Sequence, residues 1–318
     1  MKLLKDDKLN EVIGYYVLNG EQKTLDDLGM KQDSLRRYIA EYEKRTGNKK
    51  LVNISHILEN FTDDELKLMA SNKRLPIRKT SKLDFSGDVY TFGVLSDLHI
   101  GSKYTEPQEI AQAIDILQNE GVDAIYFPGD VIEGMSTRMG HVYELSQDGI
   151  GIKAQKKLAI ETLSGVKCKA YMIEGNHCAW SKQQVGYSPI EDIADSMHEC
   201  EYLGEHEGDV FINGVSVRLW HGLDGASYAI SYRPQKIINA LAGGDKPNIM
   251  LLGHDHKQMY LIYRNIHSFS CGTMQRQSQW MRMKGLQASP GFWRVKACIG
   301  DNQVKWTESR FYTIYGGL

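Results

Sequence analysis

Cysteine is scarce in this chain: five residues in 318, with no CxxC pair. Cys168, Cys178, Cys200, Cys271 and Cys298 are scattered and odd in number, which excludes a disulfide framework and suits reduced thiols in a cytoplasm. Long apolar runs are missing too. No stretch approaches the roughly 18 residues of a membrane span, so no membrane partner is expected. The opening Met1–Asp7 lacks the apolar core of a signal peptide. There is no internal repeat and no low-complexity tract, which excludes solenoids and compositional tails. Strong charge of one sign is absent as well; the net charge of −2 excludes a global polyelectrolyte role. What remains, 42% apolar and 25% charged residues, describes a globular chain with room for one large domain and one small one.

The small imbalance of charge is uneven along the chain. Residues 1–85 carry 17 Lys and Arg against 14 Asp and Glu, whereas the remainder carries 21 against 26. A mildly basic front on an acidic body favours an anionic partner for the front. Residues 9–47 read as three short helices. Val12, Ile13, Tyr16 and Val17 stripe the first, and Asn19-Gly20 ends it. Thr24 is placed to cap a brief second helix carrying Leu25 and Leu28, and Gly29 suits the turn after it. In the third, Gln32 to Arg45, Leu35, Tyr38, Ile39 and Tyr42 recur at helical spacing. Arg36, Arg37, Lys44 and Arg45 lie on its other faces. A short helix, a glycine turn and a basic third helix form the pattern of a helix-turn-helix DNA reader, although any three-helix docking module carries the same stripes. A module over 1–50 is therefore followed by a joining region over 51–87. That region has a capping box at Thr62–Glu65, a short helix through Met69, and the basic run Lys73 to Lys82 broken by Pro76.

From Val89 onward the pattern turns to alternating strands and helices. Strands are expected at 89–95, 124–127, 170–173 and 248–252, and helices at 108–119, 152–163, 190–197 and 234–241. Hairpins are expected across Asn213-Gly214, Arg264-Asn265 and Gly300–Asn302. This is the pattern of a layered α/β domain over 88–318. Five clusters punctuate it. Asp97-Leu98-His99, Gly129-Asp130, Gly175-Asn176-His177, His221-Gly222 and Gly253-His254-Asp255-His256 each follow a strand-like run. Alternate residues of a strand end share a side, so His254 and His256 are expected to face a site and Asp255 to point away; the same holds for Asp97 and His99. Gly129 and Gly175 are expected to let the backbone turn sharply before a ligand. Carboxylate, imidazole and amide oxygen gathered at strand ends make a site for two divalent transition-metal ions. Mn suits such donors best, with Fe, Zn, Ni or Co as alternatives, and Ca does not. Two such ions lower the pKa of a shared water and neutralise a phosphoryl transition state.

In order, D-x-H, G-D-x-x-E, G-N-H, H-G and G-H-x-H resemble the calcineurin-like metallophosphoesterase superfamily, over residues 88 to about 310. The resemblance implies a four-layer α/β/β/α sandwich behind the small all-α front module. It implies one metal on Asp97, His99, Asp130 and His256 and another on Asp130, Asn176, His221 and His254, with Asp130 bridging and His177 as the catalytic histidine. Two departures stand out. An acidic residue often follows the G-N-H histidine in the family. Here Cys178 stands in that place, so His177 is expected to be less basic or held differently. The Arg that protein phosphatases carry after G-D-x-x-D is absent from Gly129–Met135, which argues against a phosphoprotein substrate. In style the motifs are similar to DNA-repair nucleases and, more closely, to phage- and prophage-encoded phosphoesterases with such a front module, which would place the protein in a host cytoplasm.

The reading is a phosphodiesterase or nuclease acting on DNA. Arg276, Trp280 and Arg282, in a polar loop after the last histidines, are placed to hold backbone phosphate and stack a base. The other readings are a phosphomonoesterase or small-nucleotide phosphodiesterase with a regulatory front module, and a DNA-binding protein with a structural metal site. His141 is expected to be solvent-facing, with substrate contact as its other reading. His56, His198, His206 and His267 are expected to be structural or exposed.

Overall fold

The computed structural model describes residues 6–19, 21–46, 78–223, 225 and 227–314. The chain divides into two compact units, 1–74 and 75–318. The first holds α1 (Asp6–Asn19), α2 (Glu21–Asp27) and α3 (Gln32–Thr46). Their apolar stripes meet: Leu9, Val12, Ile13 and Leu35 are buried. Thr24 does not cap α2. That helix starts three residues earlier, at Glu21, whose charge suits a helix N-terminus, and Thr24 is buried inside it. Gly29 takes φ +60° in the following turn, and Arg36, Arg37, Lys44 and Arg45 are exposed on α3. The expected capping box and helix at 62–69, and the basic residues up to Ile77, lie outside the described residues.

The second unit is built on two six-stranded sheets. β1 (Thr80–Leu83) lies inside the stretch read above as a joining region. It pairs in parallel with β6 (Glu207–Ile212) as an edge strand. Its flank is anchored by the basic run itself: Arg78 pairs with Asp209 and with Asp245, and Lys79 with Glu191. β2 (Val89–Val94), β3 (Ala124–Phe127), β4 (Lys169–Ile173) and β5 (Cys200–Gly204) run parallel. β11 (Gly291–Gly300) and β12 (Gln303–Thr313) add antiparallel strands, giving the order β12-β11-β2-β3-β4-β5. The other sheet runs β1-β6-β7-β8-β10-β9, with β7 (Val215–Trp220), β8 (Ile249–Leu252), β9 (Gln258–Tyr263) and β10 (Ile266–Cys271).

The layers follow from the two-residue period of the strands. Tyr90, Phe92 and Val94 of β2, Ala124 and Tyr126 of β3, and Tyr171 and Ile173 of β4 face the second sheet, where they meet Val217, Leu251 and Phe269. The alternate residues Ile125, Phe127, Ala170 and Met172 face a helical layer. That layer consists of α4 (Pro107–Asn119), α5 (Ile152–Leu163), α6 (Asn176–Val185) and α7 (Pro189–Ser196). On the far side, α8 (Tyr232–Ala240) lays Ile237 and Ile238 on Met250, Leu252 and Ile266. A short α9 (Gln279–Met283) follows β10. The result is the expected α/β/β/α sandwich. No helix among the described residues is long and apolar enough to cross a membrane.

Candidate metal centre

The five clusters converge at the carboxyl ends of β2, β3, β4, β7 and β8. Sheet one delivers Asp97, His99, Asp130, Asn176 and His177, and sheet two delivers His221, His254 and His256. The strands stop before the clusters begin, so strand alternation does not set their direction as expected. Asp97, His99, Asp130, His254 and His256 all take positive φ, between 47° and 82°. Each such non-glycine residue costs roughly 1–2 kcal/mol. The left-handed steps turn alternate side chains inward, and a second ladder holds them: Asp97 N–H donates to Gly129 O (3.1 Å) and His99 N–H to Asp130 O (2.9 Å). Asp255 does point away, toward Arg233 at 3.9 Å.

The two glycines work differently from one another. Gly129 turns at φ +98°, and a Cβ there would meet His221 Nδ1 at 2.2 Å. Gly175, by contrast, is extended at φ −129°. It is needed for close approach rather than a sharp turn, since a Cβ would stand 2.1 Å from Asp130 Oδ1.

Donor atoms face one another across the centre with acceptors on both sides. His99 Nε2 and His256 Nε2 are 3.0 Å apart, and Asp97 Oδ1 is 3.2 Å from His256 Nε2. His221 Nε2 lies 3.1 Å from both Asp130 Oδ2 and Asn176 Oδ1, and His254 Nδ1 lies 2.8 Å from Asn176 Oδ1. His221 donates Nδ1–H to Pro128 O at 2.7 Å, which aims its Nε2 at the two oxygens; burial opposes charge on this ring, but Asp130 raises its pKa. Lone pairs converging in a buried centre are a poor arrangement without a cation and a suitable one with it. The donor set of carboxylate, imidazole and amide oxygen fits divalent transition metals. The same imbalance shows in the charges. Burial raises the pKa values of Asp97 and Asp130, but His256 beside the first and His221 and His177 beside the second hold both below the carboxylate range. Asp130 Oδ1 also accepts from His177 N–H at 2.9 Å, in the first turn of α6, where the helix dipole favours an anion.

His177 is held by a backbone oxygen and an aromatic ring. Its Nδ1–H donates to the backbone oxygen of Glu133 at 2.9 Å, and its ring lies against Trp180 with centroids 4.2 Å apart. Burial lowers its pKa against the pull of Asp130. Cys178 takes no part: its side chain is buried in the helix-side core, and burial raises its thiol pKa.

Sequence reasoning missed what stands behind the centre. The Glu133 carboxylate lies 2.9 Å from His99 Nδ1, off the axis of a linear hydrogen bond, and 3.7 Å from His177 Nδ1. Burial opposes charge on His99, but Glu133, then Asp130 and Asp97, raise its pKa to about 9. Burial likewise works to raise Glu133, while His177, His99 and His141 hold it well below the usual range. His141 is not solvent-facing but 1% exposed, with Nε2 at 2.9 Å from Glu133 Oε1. The G-D-x-x-E pattern contained Glu133; nothing in the spacing singled out His141 from its Gly- and Met-containing loop. His198 is exposed, and His267 bonds Tyr260 Oη at 2.7 Å. Arg276 is bound to Glu109, Arg282 is exposed, and Trp280 is partly covered by Arg138, whose guanidinium lies 5.0 Å from the ring centroid.

Fold and donor set define a metal-dependent phosphoester hydrolase. Residues 90–258, just over half of the chain, match the calcineurin-like phosphoesterase family, and the chain belongs to that family. No curated protein matches it. Similar solved structures include an archaeal phosphodiesterase (15% identity, 70% of this chain and 99% of that one, TM-score 0.39). Others are the zinc complex of Vps29 from Entamoeba histolytica (11%, 70% and 98%, 0.37) and vacuolar protein sorting 29 from Cryptosporidium parvum (13%, 71% and 100%, 0.36).

Proposed function

We propose that the protein hydrolyses phosphodiesters, with DNA as the preferred substrate. Asp97, His99, Asp130 and His256 would hold one metal and Asp130, Asn176, His221 and His254 the other, Asp130 being shared, with Mn the best-suited ion. The observation that carries this assignment is the convergence of ring nitrogens, carboxylate oxygens and an amide oxygen within about 3 Å of one another in a buried centre. When bound, two such ions would lower the pKa of a water and neutralise phosphoryl charge. The chain's own residues do the rest. Asp130 places a carboxylate between the two halves. His177, its Nδ1–H tied to Glu133 O, keeps Nε2 as the basic nitrogen that takes up and hands on a proton, and its lowered pKa favours the neutral ring.

DNA is preferred because Arg36, Arg37, Lys44 and Arg45 stand exposed on α3 of a helix-turn-helix-like unit, and because Trp280 and Arg282 lie beyond the G-H-x-H hairpin. Arg276 supports the loop through Glu109 rather than standing open to a phosphate. The test is hydrolysis of bis-p-nitrophenyl phosphate, p-nitrophenyl phosphate and labelled single- and double-stranded DNA with Mn²⁺, using Asp130→Asn as the blank. Cleavage of the diester and of DNA is expected. Cleavage of the monoester alone would overturn the diester reading and make the front unit regulatory. Replacing Arg36 and Arg37 together should weaken DNA binding and flatten its dependence on salt, with the small diester turned over as before.

A further inference from the structure

We infer that His141 is a positioning residue of this centre, acting through the Glu133 carboxylate. The inference rests on the proposed function and deepens it. The segment from Gly134 to Gly151 is largely surface: Met139, Val142, Tyr143 and Ile150 are exposed. From it a single histidine turns inward. Ser136 N–H donates to His141 Nδ1 at 3.4 Å, so the ring carries its proton on Nε2, which donates to Glu133 Oε1 at 2.9 Å. The other oxygen is held from a different loop: Gln275 gives one Nε2–H to Glu133 Oε2 at 3.1 Å and the other to Ser102 Oγ at 2.9 Å. Trp180 stands edge-on to His141, centroids 5.5 Å apart, and lies against His177 with the rings tilted by 35°.

Both oxygens of Glu133 are thus fixed by groups outside the proposed ligand set, while the same carboxylate lies beside the His99 ring. His141 decides whether that carboxylate stays there. As a contribution to folding, one such hydrogen bond is modest. As a brace behind a metal-binding histidine, its loss costs roughly 10–100-fold in metal affinity or turnover. The surface loop 134–151 therefore belongs to the active centre.

The test compares the full-length wild type with His141→Ala and His141→Gln. The readouts are Mn²⁺ titration of chelator-stripped protein by calorimetry and hydrolysis of bis-p-nitrophenyl phosphate. His141→Ala should lose roughly 10–100-fold in kcat with KM within about twofold, and a similar factor in Mn²⁺ affinity at one of two sites. The amide N–H of Gln, which reaches where Nε2 was, should recover most of both losses. A Gln variant as impaired as Ala, or a raised KM with kcat and Mn²⁺ affinity unchanged, would overturn the inference. Should the Ala variant fail to fold, the Gln variant decides alone: near-wild-type Mn²⁺ affinity supports the brace, and a tenfold loss sinks it. Should the wild type cleave no ester, the proposed function fails, but the Mn²⁺ titrations still judge His141.

Discussion

The two halves of the centre hold their histidines unequally. On one side His99 stands against a carboxylate, Glu133, and its pKa rises to about 9 although burial opposes it. On the other, His221 is oriented by a neutral carbonyl, Pro128 O, at 2.7 Å, and His254 is pushed down to about 4, by burial first and His221 next. The carboxylate beside His99 and the carbonyl behind His221 both raise the basicity of a ring, the carboxylate with a full charge and the carbonyl with a dipole. The two halves are therefore unequal, although each draws donors from both sheets. The half built on Asp97, His99 and His256 should bind a divalent cation more tightly than the half built on Asn176, His221 and His254.

The largest test of this comparison acts on both halves together. Asp130→Asn removes the shared charge and should abolish hydrolysis and weaken both steps of a Mn²⁺ titration. Loss of only one step would show that Asp130 serves one half. Next, His177→Ala should lower kcat by about 10²–10⁴ with the metal content of the purified protein unchanged; loss of metal would make His177 a ligand rather than the proton carrier. Glu133→Gln should weaken the tighter step by roughly 10–100-fold and leave the weaker one alone, and equal weakening of both would erase the distinction between the halves.

The smallest effect is on stability. The raised pKa of His99 means that its charged form stabilises the metal-free fold. That contribution is complete below the unfolded value near 6.5 and is lost as pH rises through about 9. Metal-free protein should thus lose on the order of 3 kcal/mol between pH 6.5 and 9 in urea melts. His254, depressed to about 4, stays neutral in the folded protein across that window; only the unfolded chain takes up part of a proton near pH 6.5, so this group slightly offsets the loss. A flat profile would mean that His99 carries no such charge.

Much of this was legible beforehand. The strand 124–127 and the helix 152–163 fall where the pattern put them. The hairpin turns appear at Asn213-Gly214, Arg264-Asn265 and Asp301-Asn302, all at positive φ, a region that Asn, Asp and Gly tolerate and that Arg264 alone of the six enters without that help. Other elements carried weaker signals. β1 was hidden in a basic run whose Arg78 and Lys79 turned out to be anchors. The helix Asn176–Val185 has little apolar periodicity, so its place directly after Gly175 could not be read. β5 was masked by the charge of Glu199 and Glu201. Glu133 was visible as a letter in a motif, yet its partners His141 and Gln275 come from loops, where no period announces a contact.

The sequence by itself determined the chemistry available: which donors exist, their order, and that each follows a strand. Those facts are local, and a two-residue or 3.6-residue period carries them. Only the tertiary structure decided how the donors are used. Clusters up to about 160 positions apart meet because parallel strands of two packed sheets end at one edge. Their side chains turn inward through left-handed steps that the surrounding backbone hydrogen bonds sustain. A single carboxylate comes to serve several rings because a buried charge must be shared among all the donors within its reach.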